Sequence, residues 1–317
     1  LGQIVVMTAP MIGNYGVNSE DMESGRPQVS GVVVRELSRH PSNWRSTISL
    51  DAWLAEAGVP IIEGVDTRRL TRHLRERGVF ILVIAEGTGP TADLSARLNA
   101  SPSMEGLDLA SRATVSVSHS EGEGPNVVAF DYGIKRNIIR MLVEAGCRVT
   151  VVPAETTADE VRALKPAGLF LSNGPGDPAA VTYALETIRD LSGGGLPTFG
   201  ICLGHQLVSL AYGGATSKLP YGHRGGNHPV RDLRTGHVLI TTQNHGFAVV
   251  GDEHGIPGAP DLEVTHLNLN DGTVEGVRHR TLPLFAVQYH PEAAPGPHDA
   301  FPHFGEFLDA VRNPTSP

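Results

Sequence analysis

The sequence predicts an α/β protein: a C-terminal, mostly parallel sheet flanked by helices, preceded by a smaller mixed α/β domain. Three observations predict this. From residue 126 onward, short apolar runs rich in Val, Ile, Leu and Phe alternate with segments of helical spacing, the pattern of a parallel sheet covered on both faces. A polar stretch at 112–125, rich in Ser and Gly, reads as a linker. Past residue 238 the apolar runs lack long helices between them, so the sheet should gain antiparallel strands. The domains are therefore expected at 1–115 and 126–317.

In the first domain, Ile4–Met7, Val32–Arg35 and Phe80–Ile84 read as strands, and Leu50–Ala57 and Thr67–Arg77 as helices. Thr67 to Arg75 is basic, but Leu70 and Leu74 make an i, i+4 apolar stripe, so a solvated helix face is favoured over a nucleic-acid patch. In the second domain, strands are expected at Asn126–Gly133, Arg148–Pro153, Gly168–Ser172 and Pro197–Cys202. Helices are expected at 134–145, 157–164 and Ala180–Leu191. Val238–Gln243, Leu262–Leu267, Val274–Arg278 and Leu284–Tyr289 are strand-like, and a last helix lies near Phe304–Val311.

Composition narrows the function classes. The 317 residues are enough for two domains, and 40% are hydrophobic, enough for a sizeable core. A net charge of −9 argues against nucleic acid as a partner. No apolar run approaches a membrane span. Two cysteines, Cys147 and Cys202, make no disulfide framework and suit a reducing, cytoplasmic setting. The chain opens Leu-Gly-Gln-Ile-Val-Val, already strand-like, and reads as a fragment lacking its natural beginning.

The chemistry is concentrated in Gly200-Ile201-Cys202-Leu203-Gly204, a cysteine between two glycines at the junction of a strand and a helix-like segment. This is a nucleophile elbow with sulfur in place of a hydroxyl. A tight turn excludes bulk beside the nucleophile and aims a helix N-terminus at whatever the sulfur attacks. A merely buried cysteine would not need glycine two residues away on both sides. A thiol needs a base, and a base needs orienting. His290-Pro291-Glu292 supplies both, with its side chains expected on one side of an extended segment. Ser172-Asn173-Gly174-Pro175-Gly176-Asp177-Pro178 makes a poor phosphate loop. It suits an oxyanion loop, with the N–H of Gly174 opposing that of Leu203. Gln243-Asn244-His245-Gly246-Phe247 follows a strand and could bind the polar ends of an amino acid. His223 and His228 lie in a Gly-rich run without a second His or Cys pair at zinc spacing, so no metal is expected there.

With these residues in place, the chain resembles the class I, triad-type glutamine amidotransferases. It is most similar to the small, glutamine-hydrolysing subunits of carbamoyl-phosphate synthase. The motifs run nearly end to end: Ile12 to Asn18 with Glu20-Asp21, Gly64 to Arg68, Asp131 to Ile138, Gly222 to Val230, Gln243 to Phe247 and His290 to Pro297. The first two lie in the N-terminal domain, which other amidotransferases lack.

The resemblance implies a class I amidotransferase fold and a glutaminase. Cys202 would attack the side-chain amide of glutamine, His290 would shuttle the proton and Glu292 would orient His290. Gly174, Gly176, Leu203, Gln206, Asn244, Gly246 and Phe247 would line the glutamine site. Ammonia would pass to a large synthetase subunit that uses ATP, Mg and bicarbonate to make carbamoyl phosphate for arginine and pyrimidine biosynthesis. The small subunit itself would need no metal or nucleotide. The resemblance also implies an earlier N-terminal segment carrying a serine that contacts glutamine. An amidotransferase subunit for a different synthase, or a non-catalytic partner on the same fold, stays open at this level.

Overall fold

The computed structural model describes residues 1–313 except 88, 90, 295 and 298. It divides into two compact units, Leu1–Ser103 and Met104–Pro317. In the first, β1 (Ile4–Val6), β3 (Gly31–Val33) and β5 (Ile61–Ile62) form a parallel sheet, and β2 (Met11–Ile12) pairs with β4 (Glu36–Leu37). Its helices are α1 (Leu50–Glu56), α2 (Thr67–Arg77) and α3 (Ala92–Ala100). Helix α2 begins where the Asp66 side chain accepts the Arg69 N–H at 3.0 Å. Its arginines point to solvent while Leu70 and Leu74 are half-buried. The core is small, with Val32, Val34, Leu37, Leu54 and Val59 as its buried members. Phe80–Ile84 is not a strand: no ladder pairs it, and Phe80, Ile81, Leu82 and Val83 are exposed. β-Branched composition marks a segment that could be a strand, but pairing needs a neighbour.

The second unit opens earlier than the polar stretch at 112–125. The Gly106 N–H donates to Asp177 Oδ2 at 2.8 Å and Asp177 N–H to Leu107 O at 2.9 Å. Residues 110–113 are helical (α4, Ala110–Ala113), and His119–Glu121 forms β6, antiparallel to β8 (Arg148–Pro153). The expected linker thus holds an edge strand, whose polar residues suit an edge. The parallel centre of the ten-stranded sheet runs β15 (Leu284–Val287), β10 (Thr198–Ile201), β9 (Gly168–Leu171), β7 (Asn126–Asp131), β8. Alternation along β7 sends Val128 and Phe130 to one core and Val127 and Ala129 to the other, because successive side chains leave opposite faces of a strand.

Helices α6 (Ala158–Ala163), α7 (Tyr183–Gly193) and α8 (Leu203–Ala211) give Val161, Ile188 and Leu207 to the first core. Helices α5 (Arg136–Glu144) and α9 (Pro302–Arg312) give Ile138 and Phe307 to the second. The expected helix Ala180–Leu191 resolves into a 3-10 turn, Pro178–Ala180, followed by α7.

Beyond β15 the sheet turns antiparallel through β14 (Val274–His279), β13 (Leu262–Asn268), β11 (Thr216–Asp232) and β12 (Val238–Val249). Strand β11 spans 17 residues and includes the Gly-rich run at 221–228. Two register shifts against β12 absorb its glycines and Pro220. No helix among the described residues is long and apolar enough to cross a membrane.

Candidate active site

Cys202 sits between β10 and α8 with φ +54° and ψ −99°, a left-handed backbone that non-glycine residues rarely adopt. The glycines beside it are steric necessities. A Cβ on Gly204 would lie 2.2 Å from Leu171 O, and one on Gly200 would lie 2.9 Å from the Gly204 carbonyl carbon. The turn is held from both sides: Cys202 N–H donates to Val287 O at 2.8 Å, and Gly204 N–H to Ser172 O at 3.1 Å. Leu203 opens the helix, so its N–H is one of those that helix geometry leaves without an intrahelical acceptor.

His290 and Glu292 leave the end of β15 on a reverse turn rather than the expected extended segment. Pro291 occupies the second turn position, which suits its fixed φ, and Ala293 N–H closes the turn onto His290 O at 3.2 Å. His290 Nδ1 and Glu292 Oε1 are 2.7 Å apart, and both side chains are buried. His290 N–H donates to Thr242 O at 2.9 Å, and Asn137 Nδ2 to Glu292 O at 2.7 Å. The other ring nitrogen, Nε2, is buried and has no hydrogen-bond partner among the described residues.

Lys135 completes the cluster. Its Nζ lies 2.9 Å from Glu292 Oε1 and 3.3 Å from His290 Nδ1. Nothing in the linear sequence assigns it this place, since 155 positions separate it from His290. Its backbone is fixed by the 172–177 loop: Lys135 N–H donates to Asn173 Oδ1 at 3.2 Å, and Asn173 Nδ2 to Gly133 O at 3.0 Å.

Burial and the Lys135 cation push His290 down, but the Glu292 carboxylate and the Cys202 sulfur outweigh them and raise it to about 9. Burial works against ionising Glu292, yet His290 and Lys135 hold it far below the usual carboxylate range. The imidazole therefore carries a proton at neutral pH, with a carboxylate at one nitrogen and a sulfur beside it. Such a pair can pass one proton between a thiol and a leaving nitrogen.

The other expected site residues are placed as follows. Gly174 packs against the elbow helix: a Cβ there would lie 2.7 Å from Leu203 Cδ2 and 2.3 Å from Tyr132 O. Gly176, at φ +99°, is closed against the 107–109 backbone, with its Cβ position 2.7 Å from Leu107 O. Gln206 is buried, and its Nε2 donates to Phe247 O at 2.8 Å and Gln288 Oε1 at 2.9 Å. That directs both amide hydrogens inward and ties the elbow helix to β12.

Asn244, Gly246 and Phe247 lie inside β12, not after it. Asn244 is exposed opposite Arg224, Gly246 is half-buried and Phe247 is buried. The Arg224 guanidinium donates to His223 O and His245 O, and burial lowers its pKa. Pro295, in the tail of the His-Pro-Glu motif, lies outside the described residues. A cavity of about 310 Å³ in the first unit, lined by Gly16, Asn18, Asp21 and Trp53 among others, holds no cysteine or histidine.

Comparisons with known proteins place the chain in a family. The family model described as glutamine amidotransferase class-I matches residues 128–310, and that described as carbamoyl-phosphate synthase small chain, CPSase domain, matches residues 1–84. The carbamoyl phosphate synthase small chain of Chlorobaculum tepidum is 54% identical over 98% of this chain and 86% of its own length. That of Akkermansia muciniphila is 54% identical over 98% and 85%. A solved structure from Thermoplasma acidophilum, described as a candidate GMP synthase component, covers 62% of this chain and 100% of its own, at 20% identity and a TM-score of 0.51. At that identity the likeness is one of fold.

Proposed function

The chain belongs to the carbamoyl phosphate synthase small-chain family, and we propose that it works there as the glutaminase, delivering ammonia to a large synthetase subunit. The observation that carries this reading is the left-handed Cys202 elbow together with the buried His290–Glu292 pair, whose imidazole feels the Cys202 sulfur. In the proposed reaction the Cys202 sulfur attacks the side-chain amide carbon of glutamine. His290 hands the proton it already holds, drawn from the Cys202 thiol, to the leaving nitrogen; the C–N bond breaks, and ammonia departs from a Cys202 thioester. Water then attacks the thioester, His290 returns the proton to sulfur, and glutamate leaves. The N–H groups of Leu203 and Gly174 would stabilise the oxyanion, and Glu292 with Lys135 would keep His290 oriented.

Gly174, Gly176, Leu203, Gln206, Asn244, Gly246 and Phe247 are proposed to shape the glutamine site. For Gln206 and Gly176 the support is indirect: one anchors β12 and the other closes the loop. Glutamine hydrolysis itself is proposed to need no nucleotide. ATP and Mg would serve the large subunit, and the complex would act in the cytoplasm. A different synthase as partner is disfavoured by the match over residues 1–84.

The test is ammonia release from glutamine by this chain, alone and with a large subunit. Cys202→Ser should lower it by at least ~10³-fold while the fold is kept, since a hydroxyl is a far weaker nucleophile than a thiol in a site built for sulfur. A partner should raise the rate. Wild-type ammonia release from Cys202→Ser would remove Cys202 as the nucleophile.

A further inference from the structure

On the antiparallel flank, His223 of β11 lies directly opposite His245 of β12, and their rings are 4.8 Å apart between centroids. Glu275 of β14 is fully buried beside them, with Oε1 3.5 Å from His223 Nδ1. One ligand atom from each of the three residues falls within 4.8 Å of the others.

The hydrogen bonds around this trio fix its tautomers. His245 Nδ1 donates to Phe247 O at 2.7 Å, which leaves Nε2 as a bare lone pair, and that atom is buried with no partner. His223 Nε2 is engaged by Asp271 Oδ2 at 2.8 Å, which turns Nδ1 toward Glu275. Each imidazole thus has one nitrogen bonded outward to oxygen; the other nitrogen of His223 lies 3.5 Å from Glu275 Oε1 and 3.5 Å from Asn268 Nδ2, and that of His245 has no partner among the described residues. This is the arrangement that outer-shell partners impose on histidine metal ligands. Glu275 is itself held by Asn268 Nδ2 at 2.8 Å and Gln243 Nε2 at 2.9 Å, and Gln243 Oε1 is a second buried acceptor without a donor. A proton donor would satisfy one such acceptor; a cation would satisfy several at once.

We propose that His223 Nδ1, His245 Nε2 and a Glu275 oxygen bind one divalent transition-metal ion, with zinc the best match to two imidazoles and a carboxylate. Zinc bonds of about 2.0–2.1 Å place tetrahedral ligands roughly 3.4 Å apart, so a pair at the 4.8 Å limit closes by about 1.4 Å on binding. Ligand spacing along the chain could not show this site, because its three donors come from three strands and only the sheet register unites them. Its role is structural: it pins β11 and β14 to β12, the strand that carries Asn244 to Phe247. Arg224 already clamps the backbones of the two histidines. Binding displaces any proton shared among His223, Glu275 and Asp271, so affinity falls in acid.

The experiment strips the whole chain with a chelator, dialyses it against zinc chloride and measures bound metal. The expected result is about one zinc per chain, kept in Cys202→Ser, with affinity at least ~100-fold weaker in Glu275→Gln and His245→Gln. Asp271→Asn should weaken binding by about 10–100-fold, as outer-shell changes do. Less than a tenth of a zinc per chain overturns the proposal. So does zinc that is lost in Cys202→Ser but kept in Glu275→Gln, because that metal would sit on the Cys202–His290 pair. If the ligand variants do not fold, cobalt added to the wild-type chain decides. Visible d–d bands without sulfur-to-metal charge transfer support the site; charge transfer, or no bands, overturns it.

Discussion

The two units hold their charges at different depths. In the first, Arg45 pairs with Glu20 and Asp21, and Arg39 with Glu63, all on side chains open to water. In the second, Lys135, Glu292 and His290 form a chain in which the carboxylate is fully buried. Surface pairs are screened and contribute little, whereas a buried trio fixes proton positions. The first unit, built on a core of five buried side chains, cannot desolvate a charge. The second buries a parallel sheet on both faces. Depth of packing, rather than the kinds of residue available, separates the unit that can do acid–base chemistry from the one that cannot.

The largest expected effect sharpens that contrast. His290→Ala should lower glutamine hydrolysis by about 10⁴-fold, and Glu292→Ala by roughly 10–100-fold less than that, because the base moves the proton and the carboxylate only orients it. Steady-state kinetics with glutamine checks both. Small, equal losses would reduce His-Pro-Glu to a structural turn and erase the functional side of the comparison.

Next in size is a pair of identical substitutions. In the second unit, Gly204→Ala drives a Cβ to 2.2 Å from a backbone carbonyl, whereas at Gly58, with φ +69°, nothing lies within 4 Å of the added atom. The first should cost about 3 kcal/mol through overpacking and the second ~1 kcal/mol through left-handed backbone strain. Urea unfolding followed by hydrogen exchange in each unit measures both costs, and equal values would break the comparison.

The smallest effect is in pH dependence. Burial depresses His205 and His266 to about 3, His303 to about 4, and His245 well below 6.5. Groups depressed on folding contribute stability that is present above 6.5 and lost as pH falls. His290, raised to about 9, and His223, raised by Glu275 and Asp271 against burial, act in the opposite sense: their contribution is present below 6.5 and lost as pH rises. With His279 also lowered by burial, five depressed histidines against two raised ones predict that the second unit weakens between pH 6.5 and 4. Glu292, held low, adds its own loss below about 4.5, its ordinary value. Among the described residues of the first unit the only buried polar side chain is Thr67, so its stability should stay flat. Hydrogen exchange at pH 7 and pH 4.5 reads both units at once, and parallel losses would refute the contrast.

The sequence was legible where signals are local. Helix α2 has the expected ends because Asp66 caps it and Leu70 and Leu74 set its face. The central strands were legible because β7, β9, β10 and β15 are apolar on both faces. The Cys202 elbow was legible because steric exclusion leaves only glycine at 200 and 204. What failed was pairing. Strand β11 carries glycines and a proline, and no strand was expected in that Gly-rich run, yet its ladder with β12 overrides them. Phe80–Ile84 has strand composition and no partner. Lys135 and the His223–His245–Glu275 trio are assembled by register and topology, which no local spacing records.

The two halves of the active site differ in how they could move. Gly204 is wedged on Leu171 O, and Cys202 and Gly204 are tethered to two neighbouring strands. The sulfur is thus the fixed jaw of a vice. The opposing jaw, His290, rides on a four-residue reverse turn whose leading tether is Thr242 O on β12. Sliding the nucleophile would tear the sheet, whereas tilting the turn would shift only a few bonds. Any signal that times ammonia release must therefore work the movable jaw, and Thr242 is where it would take hold.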